Sequence, residues 1–352
     1  VKALVTGGAG FIGSHVAETL LEAGWAVRVL DLPVDPGGRL RTAGELLPGV
    51  EYVWGDVADP TVVRAAVQGV DAVSHQAAKV GLERGLADAA AYAAANDLGT
   101  AALVAALDRS GFGGRLVLAS SMVVYGEGRY RCAAHGVVRP GPRSARRMDD
   151  GDFEPPCPLC DRPLATETID EDVALDPRNV YAATKLHQEH LCALLGRRRG
   201  VAVTALRYHN VYGPRMPRDT PYAGVAAIFR SALERGEAPQ VFEDGRQQRD
   251  FVHVTDVARA NLAALTVQPA APGAFNVATG VARTVGDMAE ALADAFGPDA
   301  PRPQVTGRFR LGDVRHVLAS PARARAALGF EAEVGFAAGM AEFATAPLRP
   351  AP

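Results

Sequence analysis

The chemistry of this chain begins at Asn179-Val180-Tyr181-Ala182-Ala183-Thr184-Lys185. On a helix, residues four apart lie one turn above each other on one face, so the Lys185 ammonium is expected beside the Tyr181 phenol. A nearby positive charge favours phenolate, drawing a tyrosine pKa down from about 10 toward working pH and making the side chain a general base. The plain alternative is a solvated helix that happens to carry both residues. Further hydroxyls lie upstream, where residues 115–119 read as a strand running into Ser120-Ser121-Met122-Val123-Val124-Tyr125-Gly126. A hydroxyl just past the carboxyl end of a parallel strand lies where ligands bind such sheets, although either serine also suits a turn cap.

The elements that must position these groups begin at the first residue. Residues 1–6 form a short apolar, β-rich run, followed by Gly7-Gly8-Ala9-Gly10-Phe11-Ile12-Gly13 and then helical periodicity over 14–22. In this G-x-x-G-x-x-G turn, Gly7, Gly10 and Gly13 allow a tight bend, backbone approach to a pyrophosphate and close helix-to-strand packing, while the helix N-terminus faces the phosphates together with Phe11 and Ile12. A second strand, 26–30, ends in Asp31, where a dinucleotide fold places the carboxylate that accepts from the adenine ribose hydroxyls. That favours NAD over NADP.

Strands at 52–54, 71–74, 115–119 and 201–206 alternate with helices at about 60–68 and 84–110. Such alternation predicts an α/β chain, a Rossmann-type doubly wound parallel sheet covered on both faces. Asp56 and Val57 follow the third strand and can meet the adenine; Gln76, Ala77 and Ala78 follow the fourth, where small residues let a cofactor lie against the backbone. The NAD-binding domain is expected over 1–206, and a smaller, partly interleaved mixed α/β substrate domain over 207–352.

Between 127 and 166 the periodicity stops. A structureless stretch of that length calls for a staple, and Cys132-Ala133-Ala134-His135 with Cys157-Pro158-Leu159-Cys160 supplies one. Two such pairs give a Cys3His set, a usual composition of a closed structural zinc site: Cys132, His135, Cys157 and Cys160. A redox C-x-x-C is the competitor, but it belongs at a helix start and this one is flanked by Pro155, Pro156 and Pro158. Cys192 reads as a small core residue.

With 352 residues, a formal net charge of -3, 22% charged and 48% apolar residues, the composition is that of a globular enzyme. It argues against a nucleic-acid binder working through a basic field. No stretch reads as a membrane span. Residues 2–5 already read as a buried strand, leaving no signal peptide expected ahead of them, and the cytoplasm is the expected compartment.

Five motifs, in order, resemble the extended short-chain dehydrogenase/reductases in their nucleotide-sugar epimerase and dehydratase branch: Thr6-Gly7-Gly8-Ala9-Gly10-Phe11-Ile12-Gly13-Ser14-His15; Ser120-Ser121 ahead of Val124-Tyr125-Gly126; Tyr181-x-x-x-Lys185; Arg207-x-x-Asn210-Val211-Tyr212-Gly213-Pro214; and Arg249-Asp250-Phe251-Val252-His253-Val254. The resemblance implies a tightly held NAD that takes a hydride from C4 of a nucleotide-diphosphate hexose, giving a transient 4-keto sugar. It implies that Tyr181 takes the 4-hydroxyl proton, that Lys185 lowers its pKa and holds the nicotinamide ribose, and that Ser121 hydrogen-bonds the same hydroxyl. The motifs that carry the resemblance add Ser120, Tyr181 and Lys185 to the expected cofactor set. By the same resemblance Asn210 touches the sugar diphosphate, Arg249 and Arg310 clamp it, and Asp313 contacts the nucleoside ribose. A homodimer through helices at about 84–110 and 179–198 is also implied.

Within that branch, 4,6-dehydratases need an Asp-Glu pair after the hydroxyl residue, and uronate decarboxylases have a Glu just before Val-Tyr-Gly. Met122 and Val123 stand there instead, and neither transfers a proton. Epimerisation needs only hydride out, ketone rotation and hydride back, so the resemblance points to a 4-epimerase of a UDP- or dTDP-hexose. Residues 221–225 resemble the UDP-glucose and UDP-N-acetylhexosamine 4-epimerases, while Arg215 and Arg218, as carboxylate readers, keep UDP-glucuronate open. A dehydratase, a keto-sugar reductase and an NAD-sensing partner-binding module are the remaining alternatives.

Overall fold

A computed structural model describes residues 1–35, 38–81, 86–218 and 224–349. In chain order its first strands are β1 (Lys2–Thr6), β2 (Ala26–Asp31), β3 (Glu51–Trp54), β4 (Ala72–His75) and β5 (Arg115–Ser121). The strands β6 (Arg129–Cys132), β7 (Gly136–Val138) and β8 (Ala165–Glu167) lie in the segment without periodicity, and β9 (Ala202–Tyr208) follows. The main sheet runs Gly273–Val277, β9, β5, β4, β1, β2, β3, with every neighbouring pair parallel.

Period-2 alternation sends Leu4, Leu30, Leu116 and Leu118 to one face, against Val63, Leu103, Leu107 and Leu195 of the covering helices. Val5, Val29 and Val117 point to the other face, against Val16, Leu20, Val257 and Ala260. Each such side chain contributes about 1.5–3 kcal/mol on leaving water.

The expected division at 206 is not a clean one. The edge strand Gly273–Val277 joins the sheet through β9, and the helix Val254–Thr266 packs on Phe11–Glu22, so the second half supplies part of the first half's core. The remainder of that half is a cluster of short strands and the helices Val225–Glu234, Val285–Phe296 and Phe336–Thr345, packed around Phe229, Leu292 and Phe343.

Two further expectations change. The segment over 127–166 is not structureless: β7, β6 and β8 form an antiparallel sheet in that order, with a short helix at Ala145–Asp149. Among the described residues, Leu86–Ser110 is a 25-residue helix that by length and composition alone is apolar enough to cross a membrane. It covers the sheet here, and a π-helical stretch, Ala93–Leu98, turns Asn96 inward to bond both main-chain groups of Lys79 and the Thr184 hydroxyl.

Candidate functional site

One cavity of about 550 Å³ opens at the carboxyl ends of the central strands. Every residue expected to hold a dinucleotide lines it: Gly7, Gly10, Phe11, Ile12, Gly13, Asp31, Asp56, Val57, Gln76, Ala77, Ala78, Ser120, Tyr181 and Lys185. The glycine turn is a cradle only glycine permits. A Cβ on Gly13 would lie 2.1 Å from the Gly7 carbonyl oxygen, and one on Gly7, at φ +68, would lie 2.7 Å from the Ala77 nitrogen. Asp31 accepts from the Ala9 and Leu32 amides at 2.8 and 2.7 Å, which hold the carboxylate at the end of β2. Burial raises its pKa, opposed by Arg41. Asp56 accepts from the Ala58 amide at 2.8 Å, whereas the cap of the following helix is Asp59. These residues fit a dinucleotide: the cradle, the carboxylate and the small-residue wall share one cavity.

The Tyr181 helix, Val180–Arg199, starts where Asn179 accepts from the Ala182 amide at 2.7 Å and stops at Gly200, φ +71. That start aims Tyr181 and Lys185 at β5. Lys185 Nζ lies 5.9 Å from the Tyr181 ring centroid and donates to the Ala119 carbonyl at 2.9 Å. Tyr181 is hydrogen-bonded to Ser121, whose hydroxyl also accepts from the Val123 amide at 3.4 Å and caps the turn Met122–Tyr125. The expected lowering of the phenol pKa by Lys185 is not found in the chain alone. Burial pushes Tyr181 up to about 12, only partly offset by the Ser121 bond, and burial pulls Lys185 down to about 8. Desolvation is the largest cause at both groups. Ser120 lines the cavity, but its hydroxyl donates to Glu189.

The expected substrate residues are less assembled. Asn210 has a buried Oδ1 with no partner among the described residues, an acceptor left for a ligand. Arg249 does not present a free fork: its terminal nitrogens donate to the carbonyls of Gln248, Arg315 and Val314 at 2.7–2.8 Å. Arg310 is exposed and lies over the Phe242 ring at 5.2 Å, and Arg246 is also exposed. Asp313 is half-buried, its pKa raised by burial against the pull of Arg310 and Arg249. Arg215 is committed to His15 and Glu18, and Arg218 to Glu234, so both expected carboxylate readers have partners. Residues 221–223, within the stretch read as epimerase-like, lie outside the described residues.

Cys132, His135, Cys157 and Cys160 converge, all ligand atoms lying within 4.8 Å of one another. The separations are 3.7 Å for Cys132–Cys160 and 3.6 and 3.5 Å from His135 Nδ1 to Cys132 and Cys157. The edges of a zinc tetrahedron with Zn–S of about 2.3 Å and Zn–N of about 2.0–2.1 Å are about 3.8 Å (S to S) and 3.5 Å (S to N). Backbone amides of Ala134 and His135 point at Cys132 Sγ, those of Leu159 and Cys160 at Cys157, and that of Arg162 at Cys160. Cys192 is fully buried in the core, as expected.

Gly224, from the stretch read as epimerase-like, lines the cavity too, and Arg41, Lys79, Met216 and Pro217 also line it and were missed. They come from loops without motif or period. Asn96 had a faint signal, a lone amide in an apolar helix.

Comparison with known proteins follows the same outline. The profile of the NAD dependent epimerase/dehydratase family matches residues 3–145 and 156–278, breaking inside the Cys/His segment. The dTDP-L-rhamnose 4-epimerase of Burkholderia thailandensis is 34% identical over 98% of this chain and 94% of its own. A UDP-glucose 4-epimerase of Mycolicibacterium smegmatis is 31% identical over 97% of each. Among solved structures, the UDP-glucose 4-epimerase of Thermus thermophilus in complex with NAD superposes with a TM-score of 0.77 at 31% identity, covering 98% of each chain.

Proposed function

The chain belongs to the NAD dependent epimerase/dehydratase family, and from that premise we propose that it is an NAD-dependent 4-epimerase of a nucleotide-activated hexose, carried on UDP or dTDP. The observation that carries the reading is the composition of the proton-transfer site. Tyr181 hydrogen-bonds Ser121, and Met122 and Val123 occupy the positions where elimination or decarboxylation would need acids. Relatives and neighbours named as 4-epimerases, one of them solved with NAD, support it.

In this reading Tyr181 takes the proton of the sugar 4-hydroxyl while Ser121 holds that oxygen. Lys185, fixed against Ala119 O, keeps donors for a ribose and a charge beside the phenol. Bound NAD supplies a reversible hydride acceptor for C4. The Asp31 carboxylate and the Gly7–Gly13 turn would hold the dinucleotide in the cavity that Tyr181 and Lys185 also line. Inversion would follow if the 4-keto sugar turned its other face before C4 is reduced again, and Tyr181 would return to the oxygen the proton it took. Asn210 Oδ1, Arg310 and Asp313 form the nucleotide-diphosphate side, with Arg249 holding the Val314–Arg315 backbone beside it.

The test is incubation with UDP-glucose, UDP-N-acetylglucosamine, UDP-glucuronate and dTDP-L-rhamnose, followed by NMR. C4 inversion without net change in NADH absorbance is expected; a 4-keto-6-deoxy product would replace the reading with a dehydratase. Tyr181→Phe should lower kcat about 10²–10⁴-fold while NAD stays bound.

The Cys3His set holds a structural Zn²⁺ in this reading, because four protein ligands leave no open position for chemistry. One equivalent of metal in freshly purified protein is expected, lost in Cys157→Ser. The protein acts as a homodimer through Leu86–Ser110 and Val180–Arg199, where Leu98 and Leu194 are exposed; light scattering at the monomer mass would refute this. The reaction belongs to the cytoplasm, where thiols stay reduced. Neither nucleic acid nor membrane is among its partners, in keeping with a formal charge of -3.

A further inference from the structure

We propose that the Cys/His knuckle is a metal-dependent positioning device for the nucleotide half of the site, acting through Arg143 and Glu154; this rests on the reading of Arg310 and Asp313 as substrate residues. A metal joining Cys132 and His135 to Cys157 and Cys160 would close a loop, and both Arg143 and Glu154 lie within it. Closing a loop removes the freedom of the chain between its ends. The second pair is also tied to the helix after Arg143, since Asp161 accepts from Arg147 at 2.9 Å.

Both side chains reach across to the second half of the chain. Arg143, 4% exposed, grips Glu243 through two bonds of 2.7 and 2.9 Å, and donates to the Asp313 carbonyl at 2.8 Å. One guanidinium therefore ties the turn after Phe242 to the segment that carries Arg310 and Asp313. Glu154 accepts from Arg315 at 2.6 and 2.9 Å and pairs with His316 at 2.9 Å. Arg315, fully buried, also donates to Glu243 and Asp244. Glu243 holds a left-handed backbone, φ +54, an unusual conformation for a residue with a side chain, kept by these two arginines.

The buried part of this set, Arg143, Glu243 and Arg315, is stable only while paired, because removing one partner leaves uncompensated charge, while Glu154 closes it from a half-exposed position. With the metal absent, the loop between His135 and Cys157 keeps Pro140, Met148, Phe153 and Pro155 as buried anchors and the Arg178 bond to Pro140 O, which hold its ends but do not fix where Arg143 and Glu154 point. The dinucleotide cavity contains none of these residues. Metal loss should therefore separate the two ligands: nucleotide sugar released, NAD retained.

The experiment compares wild type, chelator-treated wild type, Cys157→Ser, Arg143→Ala and Arg143→Lys. Calorimetric titration with UDP and with dTDP is the binding probe, alongside metal analysis, bound NAD and KM and kcat. Wild type should carry one metal. Metal-free protein and Arg143→Ala should bind the nucleotide at least tenfold more weakly and raise KM similarly, with NAD retained and kcat changed less than threefold. Arg143→Ala should keep its metal. Arg143→Lys, with charge but no fork, should recover part of the affinity. Unchanged nucleotide binding in Arg143→Ala overturns the proposal, as does a wild type without metal, or metal loss that releases NAD and nucleotide together. If UDP or dTDP binds and responds as stated but no sugar is inverted at C4, the epimerase reading fails and this inference stands; if neither nucleotide binds wild type, both fall.

Discussion

Lys185→Met removes a buried ammonium while keeping an unbranched stem. Lys185 is 3% exposed, and burial brings its pKa from 10.5 to about 8. Below about pH 8 both folded and unfolded chains carry the proton, so the folded state bears the full cost of the buried charge, about 3 kcal/mol. Between about 8 and 10.5 the unfolded chain binds more protons, so wild-type stability from this group rises with pH, and the cost disappears as pH passes the unfolded value. The methionine forgoes the bond to Ala119 O, a loss of about 1 kcal/mol. NAD-stripped Lys185→Met should therefore be about 2 kcal/mol more stable than stripped wild type at pH 7, and that gain should shrink by about 2 kcal/mol by about pH 9.5. Urea unfolding at both pH values reads this, provided m is unchanged. Turnover should be lost throughout. A variant that is less stable at pH 7, or a difference that stays constant from pH 7 to 9.5, would refute the claim that an active-site charge is held against its own desolvation.

Gly13→Ala puts a methyl 2.1 Å from the Gly7 carbonyl oxygen, a backbone atom that cannot yield without opening the turn. The purified variant should release no NAD on denaturation; a full equivalent would contradict the cradle. Glu189→Ala leaves Arg207, 4% exposed, without its carboxylate and should cost about 3–5 kcal/mol in denaturant unfolding, with much of that recovered when Arg207→Met is added. Asn96→Ala unpairs Lys79's main chain and the Thr184 hydroxyl. About 2–4 kcal/mol of destabilisation is expected, with faster amide exchange at Lys79; unchanged exchange there would mean that Asn96 does not hold this wall.

Much of the cofactor half was legible because its signals are local. Glycine spacing, strand period and the Asp31 position are written within some thirty residues, and the parallel sheet then brings each strand's carboxyl end to one cavity. Asn179 at the start of the Tyr181 helix is legible for the same reason. Arg41, Lys79 and Met216 were not, because loops without a period have no one-dimensional signature. The metal cluster was readable as two spaced pairs, but that all four ligand atoms come within 4.8 Å of one another depends on the β6–β7 hairpin lying against the Cys157 turn.

The amino-acid order by itself determined the α/β alternation, the dinucleotide turn, the Tyr181–Lys185 pair, the residues missing beside Ser121 and the existence of a Cys/His insert. Only the tertiary structure decided how those groups stand energetically. It buried Lys185 and Tyr181 so that desolvation raises the phenol's pKa and lowers the ammonium's, turned Arg249 to main-chain carbonyls, and joined Arg143 to a glutamate a hundred residues away. Spacing encodes what is adjacent along a helix or strand. Burial and long-range charge pairing depend on which distant segments the packed core brings together, and no short stretch contains that information.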